Sequence, residues 1–284
     1  LTFTVANYPQ KHLDPNFYLF LRILFALPPF MLIADIAKLS KKLILSFVTL
    51  GAIQYGVSYL AWVRAYLHVD ISHLILFISI IPIYVSLIGM VYEGKLSHIK
   101  LLTSVASFLS ILLIYSDQLR FEANLFKGFI FAQIANFCFA YGQVTYKKIQ
   151  QNLPEVKDSD VFALMLLGAL IVIMIATTAS NGWNFLAQVS YREFGVIFYL
   201  GTVLSGLCMF LWNKGACMVS NGTLAVINNL KFALNALVSV LLFQERIDLV
   251  KVIVSLTIIL ICVFIQERYQ KRYIIIDKRS SVEA

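Results

Sequence analysis

Residues 65–102 read AYLHVDISHLILFISIIPIYVSLIGMVYEGKLSHIKLL, and residues 216–253 read ACMVSNGTLAVINNLKFALNALVSVLLFQERIDLVKVI; shifted by 151 positions, the two stretches align without a gap. Ala65 meets Ala216, Glu93 meets Gln244, Lys95 meets Arg246 and Lys100 meets Lys251. Few residues are identical, so hydropathy and loop chemistry carry the match. Each copy contains one apolar run long enough to cross a bilayer and the beginning of another, because a hydrocarbon core of about 30 Å takes about 20 helical residues.

Outward from this pair, runs of that length recur near 17–34, 44–66, 72–92, 99–116, 125–146, 161–178, 194–215, 219–243 and 249–265. They are far too long for barrel strands and lack two-residue alternation, so the backbone must satisfy its own hydrogen bonds as helix. Of 284 residues 60% are hydrophobic and only 13% charged, outside the balance of a soluble domain. The expected fold is an all-α integral membrane bundle. The opening LTFTVANYPQ reads as the exit of one more helix, which gives a ten-helix inverted repeat (5+5) whose first helix is largely missing. The first half spans 1–116, the second 125–265, and a basic tail follows at 266–284. Five spans per half, an odd number, invert one copy relative to the other. Such repeats are a signature of proteins that alternate access to a midplane site.

The net charge of +8 is spread through short loops and the tail, which excludes a nucleic-acid face and suits membrane topology. With the tail (Arg268, Lys271, Arg272, Lys278, Arg279) inside, Lys38, Lys41, Lys42, Lys95, Lys100, Lys147, Lys148 and Lys157 fall on the same side. Inner segments then hold 13 basic residues against 6 in outer ones (Lys11, Arg120, Lys127, Arg192, Arg246, Lys251), as the positive-inside rule asks. Cys138, Cys208, Cys217 and Cys262 lie in spans without a C-x-x-C pair, so neither a disulfide frame nor a metal site is expected. No nucleotide-binding GxxxxGK[ST] occurs, and the four histidines form no acid/base constellation. Neither an enzyme nor a resident cofactor is expected.

The remaining cations, Arg22, Arg64, Lys214 and Lys231, lie inside spans. An ionisable group at the bilayer centre costs at least about 2.5–3.5 kcal/mol on insertion scales. In VINNLKFALNAL (226–237), Lys231 is about ten residues, or roughly 15 Å, from either end of its span, too far to snorkel fully. All 15 acidic residues lie in loops, the tail or span ends, whereas Asn228 and Asn235 share the face of Lys231, with Asn229 beside them. An anionic substrate is the natural counter-charge; a neutral lysine held by asparagines across a helix contact is the alternative. Two further faces could line a cavity. Gln133, Asn136, Ala140 and Gln143 form one stripe, and Tyr55, Tyr59, Trp62 and Tyr66 another, at the level of Arg64. Helix packing or an interfacial belt is the competing reading of the aromatic stripe. Arg22 and Arg64 read either as snorkelling groups or as cations along an anion's path. Pro82 should kink or loosen its helix and free backbone groups.

The Arg of LFLRILFAL, the hairpin AYLHVDISHLILFISIIPIY and its partner LWNKGACMVSNGTLAVINNL resemble the drug/metabolite transporter superfamily of the EamA type, in its carboxylate/amino acid/amine branch. GAIQYGVSYLAWVRAYL and QIANFCFAYGQVTYKK are similar to it in order and spacing. The resemblance implies a multi-pass inner-membrane carrier in bacteria, working as a monomer or homodimer, with Arg22, Gln54, Arg64, Asn136, Tyr146, Trp212, Asn213, Gly222, Asn228 and Asn229 at matched positions. It departs from its relatives where Phe232 and Ala233, rather than proline, follow Lys231. The expected activity is uptake of a small carboxylate, first of all biotin, with Lys231 on the carboxylate and Asn228, Asn229, Gln133 and Asn136 on its polar groups. Export of amino acids or amines is the alternative.

Overall fold

The computed structural model describes residues 13–119, 124–153, 155–244 and 247–282, with side chains described to 272. The stretch LTFTVANYPQ, Lys11, Arg120 and Arg246 lie outside the described residues, as do the side chains of Lys278 and Arg279. Among the described residues nine helices are long and apolar enough to cross a membrane: α1 Pro15–Ile33, α2 Lys41–Tyr66, α3 Ile71–Glu93, α4 His98–Gln118, α5 Leu125–Asn152, α6 Asp158–Ala179, α7 Tyr191–Met218, α8 Asn221–Phe243 and α9 Leu249–Arg272. The expected all-α bundle is what the chain forms, and the last helix runs on to Val282, into the basic tail.

Short polar residues start these helices by capping their first N–H groups. Asp14 Oδ1 accepts from Asn16 and Phe17 N (3.0 and 2.9 Å) ahead of α1, Ser40 caps α2 and Asp70 caps α3. Ser190 forms a capping box with Glu193 on α7, and Ser220 caps α8. The caps recur with a period: Ser40 and Ser190 are 150 positions apart, and so are Asp70 and Ser220. So are the left-handed residues that end α3 and α8, Gly94 (φ 65°) and Gln244 (φ 52°). Wide π-helical turns interrupt α2 at Ala52–Val57 and α7 at Leu200–Cys208, overlapping under the same shift. The period is therefore 150 through α2/α7 and α3/α8. It becomes 151 only at α4 and α9, which start at His98 and Leu249. The gapless 151 alignment is off by one over α3/α8, because the α8–α9 connection is one residue longer than that between α3 and α4.

The helices gather into two compact units, Leu1–His68 with Ile130–Cys217, and Val69–Phe129 with Met218–Ala284. In the first, α6 is the buried centre, with Phe162, Met165, Leu166, Ala169 and Ile173 turned inward. Helices α1 and α2 pack on it, and α1 also packs on the π turn of α7. Phe30, Phe162 and Phe210 form an aromatic cluster with centroids 4.8–5.7 Å apart. Close crossings need glycine here, as is common where membrane helices meet without a hydrophobic driving force. A Cβ on Gly51 would stand 2.0 Å from the Met165 carbonyl oxygen, and one on Gly201 would stand 2.7 Å from that of Arg22. Gly51 and Gly201 are 150 positions apart, while Arg22 and Met165 are separated by 143, the interval between the caps of α1 and α6 (Asp14 and Lys157). The two crossings are copies of each other, and Arg22 occupies the place that Met165 fills in the second copy.

In the second unit α8 packs on α3, α4 and α9, and α4 packs on α9. Asn221 Nδ2, at the start of α8, donates to Glu93 Oε1 at the end of α3 (2.8 Å), so these equivalent helices run antiparallel, as inverted repeats require. Lys100 is buried and pairs with the other oxygen of Glu93. Small hydroxyls fill the seams: Ser86 and Ser104 lie 2.6 Å apart, and Ser107 Oγ donates to Val226 O at 3.5 Å. Pro82 acts as expected. Helix α3 halts at Ile78 and resumes at Ile81, and Ile83 N–H bonds to Ile80 O at 3.0 Å, one residue short of the α-helical partner. That frees the carbonyl of Ser79.

Candidate functional site

The π turn of α2 sets Gln54 and Tyr55 side by side inside the first unit. Such turns concentrate at functional positions in helices. Gln54 is fully buried. Its Nε2 donates to Tyr55 Oη at 3.2 Å and to Asn213 Oδ1 of α7 at 3.4 Å. Gly142 of α5 makes the room, since a Cβ there would stand 2.3 Å from the Gln54 Cβ. From Tyr55 an aromatic run continues: its ring lies 5.7 Å from Tyr59, which stacks on Trp62 at 5.7 Å and 29°. Trp62 Nε1 donates to Asn136 Oδ1 (3.2 Å), and Asn136 Nδ2 donates to Gln133 Oε1 (3.3 Å).

Seven side chains from α5, α2 and α7 thus form one continuous polar and aromatic series. Three of its atoms are buried without a hydrogen-bond partner: Gln133 Nε2, Gln54 Oε1 and Asn213 Nδ2. Buried polar atoms left this way are uncommon in native proteins and costly to keep.

Arg22 adjoins this series. Its Nη2 donates to Ser205 Oγ in the π turn of α7 (2.8 Å), and its guanidinium lies 5.6 Å over the Tyr18 ring. Its Nε is buried without a partner, and no carboxylate of a described residue pairs with it. Arg64, by contrast, is exposed two residues from the end of α2, apart from the series. Its equivalent at 150 positions is Lys214, also exposed, so both suit snorkelling cations.

The second unit carries the α8 residues. Asn228 and Asn229 are fully buried. Asn228 Nδ2 donates to Leu224 O (3.0 Å), and Asn229 Nδ2 donates to the freed carbonyl of Ser79 (2.9 Å). Lys231 lies on the exposed side of α8, its Nζ 5.0 Å from the Phe232 ring centroid, and Asn235 is half-buried. The spacing that groups Asn228 with Lys231 is present; the amide turns back onto the Leu224 carbonyl, while the Lys231 side chain keeps accessible surface.

Of the expected residues, the first unit thus brings together Tyr55, Tyr59, Trp62, Gln133 and Asn136, and holds Arg22 on the π turn of α7. The second carries Asn228, Asn229, Lys231 and Asn235 on one helix. Gln54 and Asn213, which join α2 to α7, are among the positions matched by the resemblance but belong to neither stripe that the spacing marks. One signal was available: their equivalents at 150 positions, Leu204 and Val63, are apolar. No group of three or more His, Cys, Asp or Glu among the described residues could hold a metal.

The model of the EamA-like transporter family matches residues 1–116 and 126–266. A biotin transporter of Escherichia coli K12 is 28% identical over 242 residues, covering 85% of this chain and 80% of the relative. One of Salmonella typhimurium is 26% identical over 267 residues, covering 93% and 87%. A solved crystal structure of a protein with 12% sequence identity superimposes with a TM-score of 0.76 over 94% of this chain and 93% of the other.

Proposed function

The chain belongs to the EamA-like transporter family, a multi-pass transporter of the bacterial inner membrane, and we propose that it takes up a small carboxylate, biotin before others. The observation that carries this reading is Arg22. At the copied crossing the fold is served equally well by Met165, so packing does not call for a guanidinium there. A cation in a span with a buried, unmet Nε calls for an anion. Biotin supplies a carboxylate at one end and a polar ring at the other, which suits a cation beside a series of amides and aromatic rings. Two relatives named as biotin transporters support the same choice.

In this reading, within the first unit Arg22 attracts the carboxylate, Gln133 and Asn136 read polar groups, and Tyr55, Tyr59 and Trp62 bound the apolar part; within the second, Lys231 is a further cation for an anion, with Asn228, Asn229 and Asn235 ordering its surroundings. Amines fit poorly, because like charges would meet in low dielectric. The test is a biotin-auxotrophic host lacking its own carrier and expressing the full-length protein. Saturable uptake of labelled biotin at nanomolar supply is the expected result; its absence removes the biotin assignment.

A further inference from the structure

We propose that the Gln54–Asn213 amide pair reads a planar ligand group that carries an N–H donor beside a C=O acceptor, as a ureide, a lactam or a primary amide does. The two side chains spend one donor and one acceptor on each other and keep one of each unmet: Oε1 of Gln54 and Nδ2 of Asn213. A ligand N–H donating to Gln54 Oε1 and a ligand C=O accepting from Asn213 Nδ2 close a ring of three amide-type groups in which every hydrogen bond is made. Exchanging oxygen and nitrogen in both amides together leaves the same inventory, one donor and one acceptor, so the reading does not depend on how the amides are assigned.

Three observations set this pair apart from ordinary helix-to-helix glue. Its equivalents in the other copy, Leu204 and Val63, are apolar, so the shared architecture does not demand polar groups at these places. Gln54 lies within the π turn of α2, at a break in regular helix, and reaches across to Asn213 in the regular helix that follows the π turn of α7. Gly142 makes room for the Gln54 side chain, whose amide lies against Tyr55 and Asn213.

The proposal rests on the transport reading for its choice of probes, and the experiment separates the two. Biotin, biotinamide and lipoate are compared by direct binding to the purified full-length protein in nanodiscs. Biotinamide keeps the ureide without the carboxylate, and lipoate keeps the carboxylate and chain without the ureide. The wild type is expected to bind lipoate at least about tenfold more weakly than biotin, the consequence of leaving a buried donor and acceptor unpaired. Gln54→Met and Asn213→Leu should bring biotin to within about threefold of lipoate while lipoate itself changes little. Asn213→Asp keeps the size and the acceptor toward Gln54 but loses the donor; it should show the same loss and serves if the leucine variant does not fold. An unchanged biotin-to-lipoate ratio in folded variants overturns the proposal. So does a wild type that binds neither ureide, or one that binds lipoate as well as biotin. Gln54-dependent binding of biotinamide by a protein that takes up no biotin in cells would remove the uptake reading and leave the pair standing.

Discussion

Asn229 donates its side-chain amide to the main-chain carbonyl of Ser79 at 2.9 Å, and the two residues are 150 positions apart, each the other's equivalent in the repeat. A contact between equivalents lies on the axis that relates the copies of α3 and α8. The asymmetry at that axis is chemical: Pro82 breaks one helix, and the unbroken partner supplies the hydrogen bond that the break leaves open. Asn229→Ala leaves a buried carbonyl unmet and should lower stability by about 1–3 kcal/mol. Thermal unfolding of the purified protein, with Asn235→Ala as the milder comparison, measures it.

Arg22→Met installs the residue that the second copy already uses at this crossing. The protein should fold with little change in melting temperature, while binding of a carboxylate falls by about tenfold or more, as loss of a charge-assisted hydrogen bond implies. Neutral biotinamide should lose far less. Equal losses for both ligands would make Arg22 structural.

Lys231→Met tests the other cation in the same way. Carboxylate uptake should be abolished and binding of the neutral amide largely kept. Because Lys231 stands on the exposed side of α8, the substitution removes charge without opening the bundle. A fall in melting temperature with equal loss of both ligands would count against a role in binding.

Gly51→Ala and Gly201→Ala place a Cβ 2.0 and 2.7 Å from backbone oxygen atoms, which cannot yield as a side chain does. Each should cost about 3 kcal/mol or more, read as reduced yield and melting temperature, with Gly51→Ala the worse. Gly215→Ala, where nothing lies within 4 Å, is the control and should be neutral.

Glu93→Gln leaves Lys100 buried without its carboxylate, a loss of about 1–3 kcal/mol, below that of a fully buried pair because Glu93 is 36% exposed. Exchanging both residues together, Glu93→Gln with Lys100→Met, should recover much of that stability in the same unfolding assay.

The spans were legible because length in lipid is a crude quantity: any apolar run of about 20 residues announces itself, and seven of the nine agree with the sequence reading within three residues at each end, while α5 and α9 run on past it into polar sequence. Pro82 was legible because a missing N–H has one consequence wherever it falls. The register was not. Hydropathy changes little when one membrane helix slides by a residue, and only the caps at Asp70 and Ser220 and the left-handed residues Gly94 and Gln244 fix the shift at 150. The depth of Lys231 could be counted along the chain, but not which way Asn228 turns, since that depends on whether the preceding turn offers a carbonyl. Gln54, in an irregular turn, and Asn213, in regular helix, meet across 159 positions, and neither periodicity nor composition marks such a meeting.

The matched wide turns of α2 and α7 also bear on ancestry. A π turn needs an extra residue in the helix, and it lies at the same place in both copies although few of the side chains there agree. A single insertion before the gene doubled would produce that pattern; two separate ones landing at matching places is the costlier history. Duplication then transmitted the course of the main chain intact, and divergence made Gln54 out of one copy and Leu204 out of the other, so the inheritance is symmetric in shape and one-sided in chemistry.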